Sequence, residues 1–495
     1  MDAPHLQLHY QPARELLGRL EAGTLSSETL VTALLGRIRD QNPAINAIVT
    51  LDEQNALASA READRQRAAS AMKGPLHGLP LTLKDTWEVA GMTCTAGAPA
   101  LRNHRPETHA DVVQRLKDAG AIILGKTNVP IYATDLQSYN KLFGVTNNPH
   151  NPTRTPGGSS GGSAAALAAG MTPLEVGSDL AGSIRTPAHF CGVFGHKPTR
   201  SLVSLRGHIP GPPGTQSRPD LAEAGPMARN ARDLELLLKV IAGPRPSEKR
   251  SWALSMAPSE LQTLDQARVG LWLEDPLCPV EHELTEGYRT LGKSLADRGA
   301  LVTDARHPLL SLEHILPVYF NLLGSLLSTS LKPTQRRQMR WIARLEPWLK
   351  FLGPMTPFIG EYGRGVNQPV YQWMAWSERR EKMRAQIESL FREVDVLLTP
   401  ITPTTAIRHD HSHPVFKRRI TVAGQPRAYM DQFCWIALAT LLGLPATSVP
   451  IGLTRDGLPF NVQVIGAPGA DLTTIRFARL LEEAGLAGFV KPEGF

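Results

Sequence analysis

A chain of 495 residues, 42% hydrophobic and 20% charged, holds ample apolar material for one large α/β domain with insertions or for a few domains, which excludes a disordered or fibrous protein. Its formal charge of +7 is carried by scattered Lys and Arg with no long basic block, so it reads as a solvated basic surface and not as a nucleic-acid footprint. No apolar run is long enough to cross a membrane, and Met1–His5 does not lead into an apolar stretch, so a cytoplasmic location is expected.

In chain order, residues 10–70 read as helices. Leu16, Leu17 and Leu20 fall at helical spacing, as do Leu30, Leu34, Leu35 and Ile38. Gly23-Thr24-Leu25-Ser26 separates the two, Ser26 or Ser27 caps the second, and Asn42-Pro43 is expected to end it. Ala56–Ala69 is a third helix, rich in alanine and charge. From about residue 75, short apolar runs (Leu79–Leu83, Ala121–Leu124) alternate with helical stretches such as Asp111–Ala119, the pattern of an α/β fold with buried strands. Pro210–Gly214 is a stiff loop, and Ala231–Val240 a helix. Further strands are expected at Val269–Trp272, 300–303, Val394–Leu398, Thr447–Val449 and Asn461–Ile465, with helices over 281–298 and Leu472–Ala484. Residues 310–375 are apolar, rich in Trp and Arg, and broken by prolines.

The cysteines Cys94, Cys191, Cys278 and Cys434 form no CxxC and lie near no His pair at zinc spacing, which suits free thiols in a reducing compartment and no metal site. Chemistry concentrates elsewhere. Gly157-Gly158-Ser159-Ser160-Gly161-Gly162 precedes Gly177-Ser178-Asp179-Leu180-Ala181-Gly182-Ser183-Ile184-Arg185, and Lys84 closes the apolar run Leu81-Thr82-Leu83. Serine is a poor nucleophile until a base takes its proton, and glycine-dense turns can aim bare N–H groups at a developing oxyanion. Each stretch also has a plainer reading. Ser183 would sit in a small-residue turn packed on a helix. Gly157–Gly162 would be a linker or a phosphate loop, although the Gly-Lys-Ser/Thr of a phosphate loop is missing and Ala164–Ala169 reads as a buried helix. Lys84 would be a solvent-facing strand end; if buried, its charged form is disfavoured and it becomes a base near neutrality.

Order and context together resemble the amidase-signature hydrolases. The resemblance is dense over 70–245, in Gly74–Asp85, Gly125–Asn128, Phe143–Pro149, Arg154–Gly162, Gly182–Ala188, Cys191-Gly192 and Gly195–Thr199. It thins over 245–390 and returns in Leu398-Thr399-Pro400 and Gly443–Ala446. It implies an amidase-signature α/β fold, with a large mixed twisted β-sheet between layers of helices. It implies a first segment (1–70) packing on a single catalytic domain (71–495), in which 310–375 is a variable pocket or lid insertion. It also implies a Ser–cis-Ser–Lys triad. Ser183 matches the nucleophile, Ser159 the bridging serine held by a cis peptide after Gly158, and Lys84 the base. Backbone N–H groups of Leu180, Ala181, Gly182 and Ser183 match the oxyanion hole. Asp179 and Arg185 match positions that orient the serine loop. Ser160 would steady Ser159 and Lys84 by hydrogen bonding, and Ala133, Thr134 and Gln137 would line the scissile site. The mechanism needs no metal or organic cofactor.

Four positions depart from the family pattern: Ala181 for a common glycine, Ser178 for a threonine, Thr440 for an asparagine and Asn461 for a glycine. Ala181 keeps its N–H, so the hole survives unless the turn needs positive φ there. Cys191 reads as a packed thiol, and His77, His189 and His196 as structural. Aromatic side chains of 310–375, among them Tyr319, Phe320, Trp341, Trp348, Phe351, Tyr371 and Trp373, are core or walls of an apolar cleft. The expected activity is therefore cleavage of neutral aryl or bulky apolar amides through an acyl-enzyme on Ser183, with ester and carbamate (urethane) hydrolysis beside it. The expected substrate is a small amide or carbamate, met by a monomer or homodimer without nucleic acid or membrane contact; the basic aromatic stretch from Arg336 is interrupted by Pro347 and reads as readily as a lid. The alternative is a glutamine-hydrolysing subunit of a tRNA-dependent amidotransferase, which would release ammonia for a tRNA-binding partner.

Overall fold

The computed structural model describes residues 8–209, 211–349 and 354–495. Expectations placed on Met1–His5, Pro210 and Phe351, and on the side chains of Pro347 and Trp348, lie outside it.

Eleven strands form one sheet: β1 (Ile48–Leu51), β2 (Pro80–Lys84), β3 (Ile122–Thr127), β4 (Leu174–Asp179), β5 (Phe194–Lys197), β6 (Glu223–Ala228), β7 (Arg268–Leu271), β8 (Leu301–Asp304), β9 (Val396–Thr399), β10 (Ala446–Leu453) and β11 (Pro459–Ile465). Their spatial order is β1-β3-β2-β4-β6-β5-β10-β11-β9-β7-β8. The sheet is mixed. The pairs β3–β2, β2–β4, β9–β7 and β7–β8 are parallel, and the other neighbours run antiparallel. Every residue of β2, β4, β5 and β6 is buried. Strands covered on both faces carry continuous apolar or small runs, and for that reason the middle of the chain shows little alternation. A large mixed sheet accompanied by helices is the α/β architecture that the sequence leads one to expect.

Residues 8–70 form more than helices. Four of them, Ile48–Leu51, pair with β3 at the sheet edge, a strand too short to stand out as a pattern. The second helix runs Ser27–Ile45 through Pro43, so Asn42-Pro43 does not end it. Termination falls instead to Asn46, in the left-handed region with φ 55°, while the Asn42 carboxamide accepts the N–H groups of Ala47 and Ile48. Ser26, not Ser27, caps its start by accepting the Thr29 N–H.

Residues 310–375 fold mainly as helices, Leu312–Leu327, Pro333–Leu349 and Ile359–Val366, followed by Val370–Ile387. The first is a core helix: Ile315, Leu316, Tyr319, Phe320, Leu322 and Leu323 are all buried. Trp341, Tyr371 and Trp373 face outward. The helix Gly161–Ala168 is built mostly of small residues because it lies close on the chain beneath it. A Cβ at Gly162 would stand 2.4 Å from the Asn128 nitrogen. That closeness fixes the loop in front of it, which carries Ser159.

Candidate active site

Three pieces of the chain meet on one face of the sheet. Lys84 ends β2, and β4 runs parallel beside it, with Thr82 opposite Glu175 and Leu83 opposite Val176. β4 then leads into the turn 180–184 and the helix Arg185–Cys191. From the other side comes the loop before Gly161–Ala168, in which the Gly158–Ser159 peptide is cis. The chain packs closely here against 135–137, since a Cβ at Gly158 would lie 2.6 Å from the Asp135 carbonyl oxygen.

Lys84 Nζ lies 2.7 Å from Ser159 Oγ, 2.9 Å from Ser178 Oγ and 3.3 Å from the Ser178 carbonyl oxygen. The side chain is wholly buried. Burial lowers its pKa to about 7, against the opposing pull of the Asp179 and Glu175 charges. Glu175 is itself buried, accepts the Thr82 hydroxyl at 2.6 Å, and is pushed up to about 7 by desolvation. The Ser183 residue is 7% exposed, and among the described residues its hydroxyl makes no hydrogen bond. The structure thus brings Lys84 and Ser159 into contact and leaves the Ser183 hydroxyl unengaged on a turn where Leu180 and Ala181 are half-buried. Hydrogen bonds of this kind are often long before a substrate arrives.

The serine turn is held from beneath by one carboxylate. Asp179 accepts the N–H groups of Gly182, Ile184 and Arg185. It also pairs with the Arg185 guanidinium at 2.9 and 3.0 Å, both side chains fully buried. Burial alone would raise the Asp179 carboxyl, but Arg185 and these N–H donors overcome it and hold it at about 2. Arg185 is in turn fixed by Thr440 Oγ1 at 2.6 Å, Gln463 Oε1 at 2.7 Å and the Ile436 carbonyl at 3.0 Å. Thr440, one of the departures, therefore anchors the guanidinium.

Several expectations need correction. The Gly182 N–H is taken by Asp179 at 2.9 Å, which leaves Leu180, Ala181 and Ser183 as the turn's unengaged donors among the described residues. Gly182 is the position that needs a left-handed backbone, with φ 89°, whereas Ala181 is not among the residues with positive φ. Ser160 does not bond Ser159 or Lys84. Its hydroxyl donates to the Ser178 carbonyl at 3.4 Å and its N–H to the Ser183 carbonyl at 3.1 Å, so it ties the two serine segments together through backbone. Gln137 is fully buried, and its amide pairs with the Asp410 backbone at 2.7 and 3.0 Å, so its side chain is not free to meet a substrate. Ala133 and Thr134 are less buried members of the same segment. His77, His189 and His196 are buried and hydrogen-bonded, and the four cysteines are buried and unpaired.

Sequence reasoning misses His208, whose Nε2 lies 2.8 Å from Ser178 Oγ, and it misses that Ser178 touches the lysine. Ser178 stands inside a motif already in view; His208 carries no local pattern.

The sequence profile of the family described as Amidase matches residues 29–475. Among curated relatives, the A subunit of glutamyl-tRNA(Gln) amidotransferase from Chloroflexus aurantiacus is 33% identical over 490 residues, which are 95% of this chain and 96% of that protein. Among solved structures, an inhibitor-bound vestigial protein complex, described as revealing the evolutionary origins of an s-triazine catabolic enzyme, matches with a TM-score of 0.79 at 28% identity, over 97% of this chain and 100% of the other. The A subunit of glutamyl-tRNA(Gln) amidotransferase from Thermotoga maritima matches with a TM-score of 0.74 at 25% identity, over 98% of each chain.

These likenesses overturn two expectations. The choice of aryl or bulky apolar amides, with esters and carbamates, gives way because curated relatives at 30–33% identity along nearly the whole chain are named as amidotransferase subunits. A monomer or homodimer that meets only a small molecule gives way with it, since those relatives are named as subunits and a structural neighbour is a complex. Among the described residues, no helix is long and apolar enough to cross a membrane.

Proposed function

The chain belongs to the amidase-signature family of enzymes acting on carbon–nitrogen bonds, and from that premise we propose that it hydrolyses the side-chain amide of glutamine as the ammonia-releasing subunit of a tRNA-dependent amidotransferase. Uncharged Lys84 draws the Ser159 proton while Ser159 draws that of Ser183, and Ser183 Oγ attacks the amide carbon. The unengaged N–H groups of Leu180, Ala181 and Ser183 receive the oxyanion. Collapse breaks the C–N bond, the relay returns a proton to nitrogen, and ammonia leaves. Water then attacks the acyl-enzyme by the same route, freeing glutamate and restoring the Ser183 hydroxyl. Asp179 and Arg185 hold the turn in register. Ala133 and Thr134 form part of the cleft wall, backed by Gln137. The ammonia passes to a partner that binds the tRNA, in the cytoplasm.

The chain is read as one catalytic domain over 71–495 on which the first seventy residues pack, with 310–375 as its variable pocket or lid. What carries the chemical reading is the buried Lys84 amine, 2.7 Å from Ser159 and with its pKa lowered to about 7 by burial. What carries the substrate is the likeness to the amidotransferase relatives along nearly the whole chain. The test is ammonia release from L-glutamine beside cleavage of an aryl amide, an aryl carbamate and an aryl ester, with association to a tRNA-binding partner measured in parallel. Glutamine should be the best substrate. Turnover of the aryl amide exceeding that of glutamine would overturn the assignment.

A further inference from the structure

We propose that His208 is a positioning residue for the base: by accepting the Ser178 hydroxyl proton, it turns the lone pair of Lys84 onto Ser159, a role that rests on Lys84 acting as the base.

A neutral amine has two N–H donors and one lone pair. Lys84 Nζ has three partners within reach: the Ser178 carbonyl at 3.3 Å, Ser178 Oγ at 2.9 Å and Ser159 Oγ at 2.7 Å. The carbonyl can only accept, so it takes one N–H. If the lone pair is to receive the Ser159 proton, the second N–H must go to Ser178 Oγ. Ser178 must then send its own proton elsewhere. His208 Nε2, 2.8 Å from Ser178 Oγ, is the available acceptor. This requires the tautomer with hydrogen on Nδ1. In the opposite polarity, Nε2–H donates to Ser178, Ser178 donates to Lys84, and the lone pair is occupied by the wrong hydroxyl.

The surroundings hold the ring for this task. His208 is buried, and its ring stands edge-on to Trp87 with centroids 4.6 Å apart. Trp87 is pinned through its indole N–H to the Val176 carbonyl at 3.0 Å, on the strand that bears Ser178. Burial, then the charges of Lys84 and Lys126, hold the imidazole well below its usual pKa, so it stays neutral and keeps an acceptor nitrogen.

The test uses a substrate-independent readout, the second-order rate at which an alkyl fluorophosphonate labels Ser183. In that reaction the Ser183 Oγ–P bond forms, fluoride leaves, and the hydroxyl proton passes through Ser159 to Lys84. His208→Phe keeps a ring against Trp87 but removes the acceptor, and should slow labelling about tenfold or more, towards the range usual for general-base contributions. His208→Gln, whose carbonyl can accept the same proton, should recover most of the rate. In a Ser178→Ala background, where no competing hydroxyl remains, His208→Phe should cost nothing further. Wild-type labelling by His208→Phe, equal losses in Phe and Gln, or the same loss with Ser178→Ala would each overturn the proposal. Lys84→Ala labelling at the wild-type rate would instead sink the base assignment beneath it, and neither result depends on whether glutamine is the substrate.

Discussion

The sheet face around Lys84 and the helical stretch 312–387 are built on opposite terms. Around Lys84, the polar side chains Glu175, Ser178, Asp179 and Arg185 are buried, and each is hydrogen-bonded. In the helical stretch, Trp341, Tyr371 and Trp373 are 53%, 70% and 38% exposed, and Tyr319 buries a hydroxyl without a partner among the described residues. A buried polar network fails when one partner is removed, because the group left behind keeps the full cost of desolvation. An exposed aromatic face tolerates change. The proposed reaction therefore sits in the half that tolerates change least.

Substitutions can break or sharpen this contrast. Ser183→Ala should give the largest loss, removing glutamine turnover by about 10⁴-fold or more, read as ammonia release. Asp179→Asn should come next. It removes the countercharge of a guanidinium with no exposure and should cost about 3–5 kcal/mol in denaturant unfolding, with activity lost alongside. Gly182→Ala forces a side chain onto φ 89° and against Thr186 Oγ1 at 2.8 Å, so about 1–3 kcal/mol of stability and most of the rate should go. At the small end, Trp341→Ala should move unfolding by no more than about 0.5 kcal/mol. An effect from Trp341→Ala as large as that from Asp179→Asn would erase the distinction between the two regions.

The same contrast explains what the sequence reveals. Lys84 and Ser159, which the structure brings to 2.7 Å, stand in stretches that mark themselves locally, an apolar run and a glycine-dense loop. Their supports do not. Thr440 and Gln463 reach Arg185 from positions 255 and 278 residues away, through a strand order that sets β10 next to β5 and β11 next to β10. His208 reaches Ser178 across thirty residues that include the helix Arg185–Cys191 and β5. Long-range partners of this kind leave no periodic trace, because each is chosen by one hydrogen bond. Strand β1 is hidden for a different reason: four residues at a sheet edge carry too little pattern. Prolines mask the helices of 312–387, although Pro317 sits inside a continuous helix. The aromatic content of that stretch misleads about substrate, because it suggests a cleft wall while much of it faces solvent.

The most direct measurement is the pH dependence of Ser183 acylation under single-turnover conditions, from pH 6 to 9. Burial lowers Lys84 to about 7, so the charged amine dominates below that pH and the free base above it. The rate should rise through about pH 7 and level off, and Lys84→Ala should lose the rise along with most of the rate. A flat wild-type profile, with acylation shown to be rate-limiting, would contradict a lysine base.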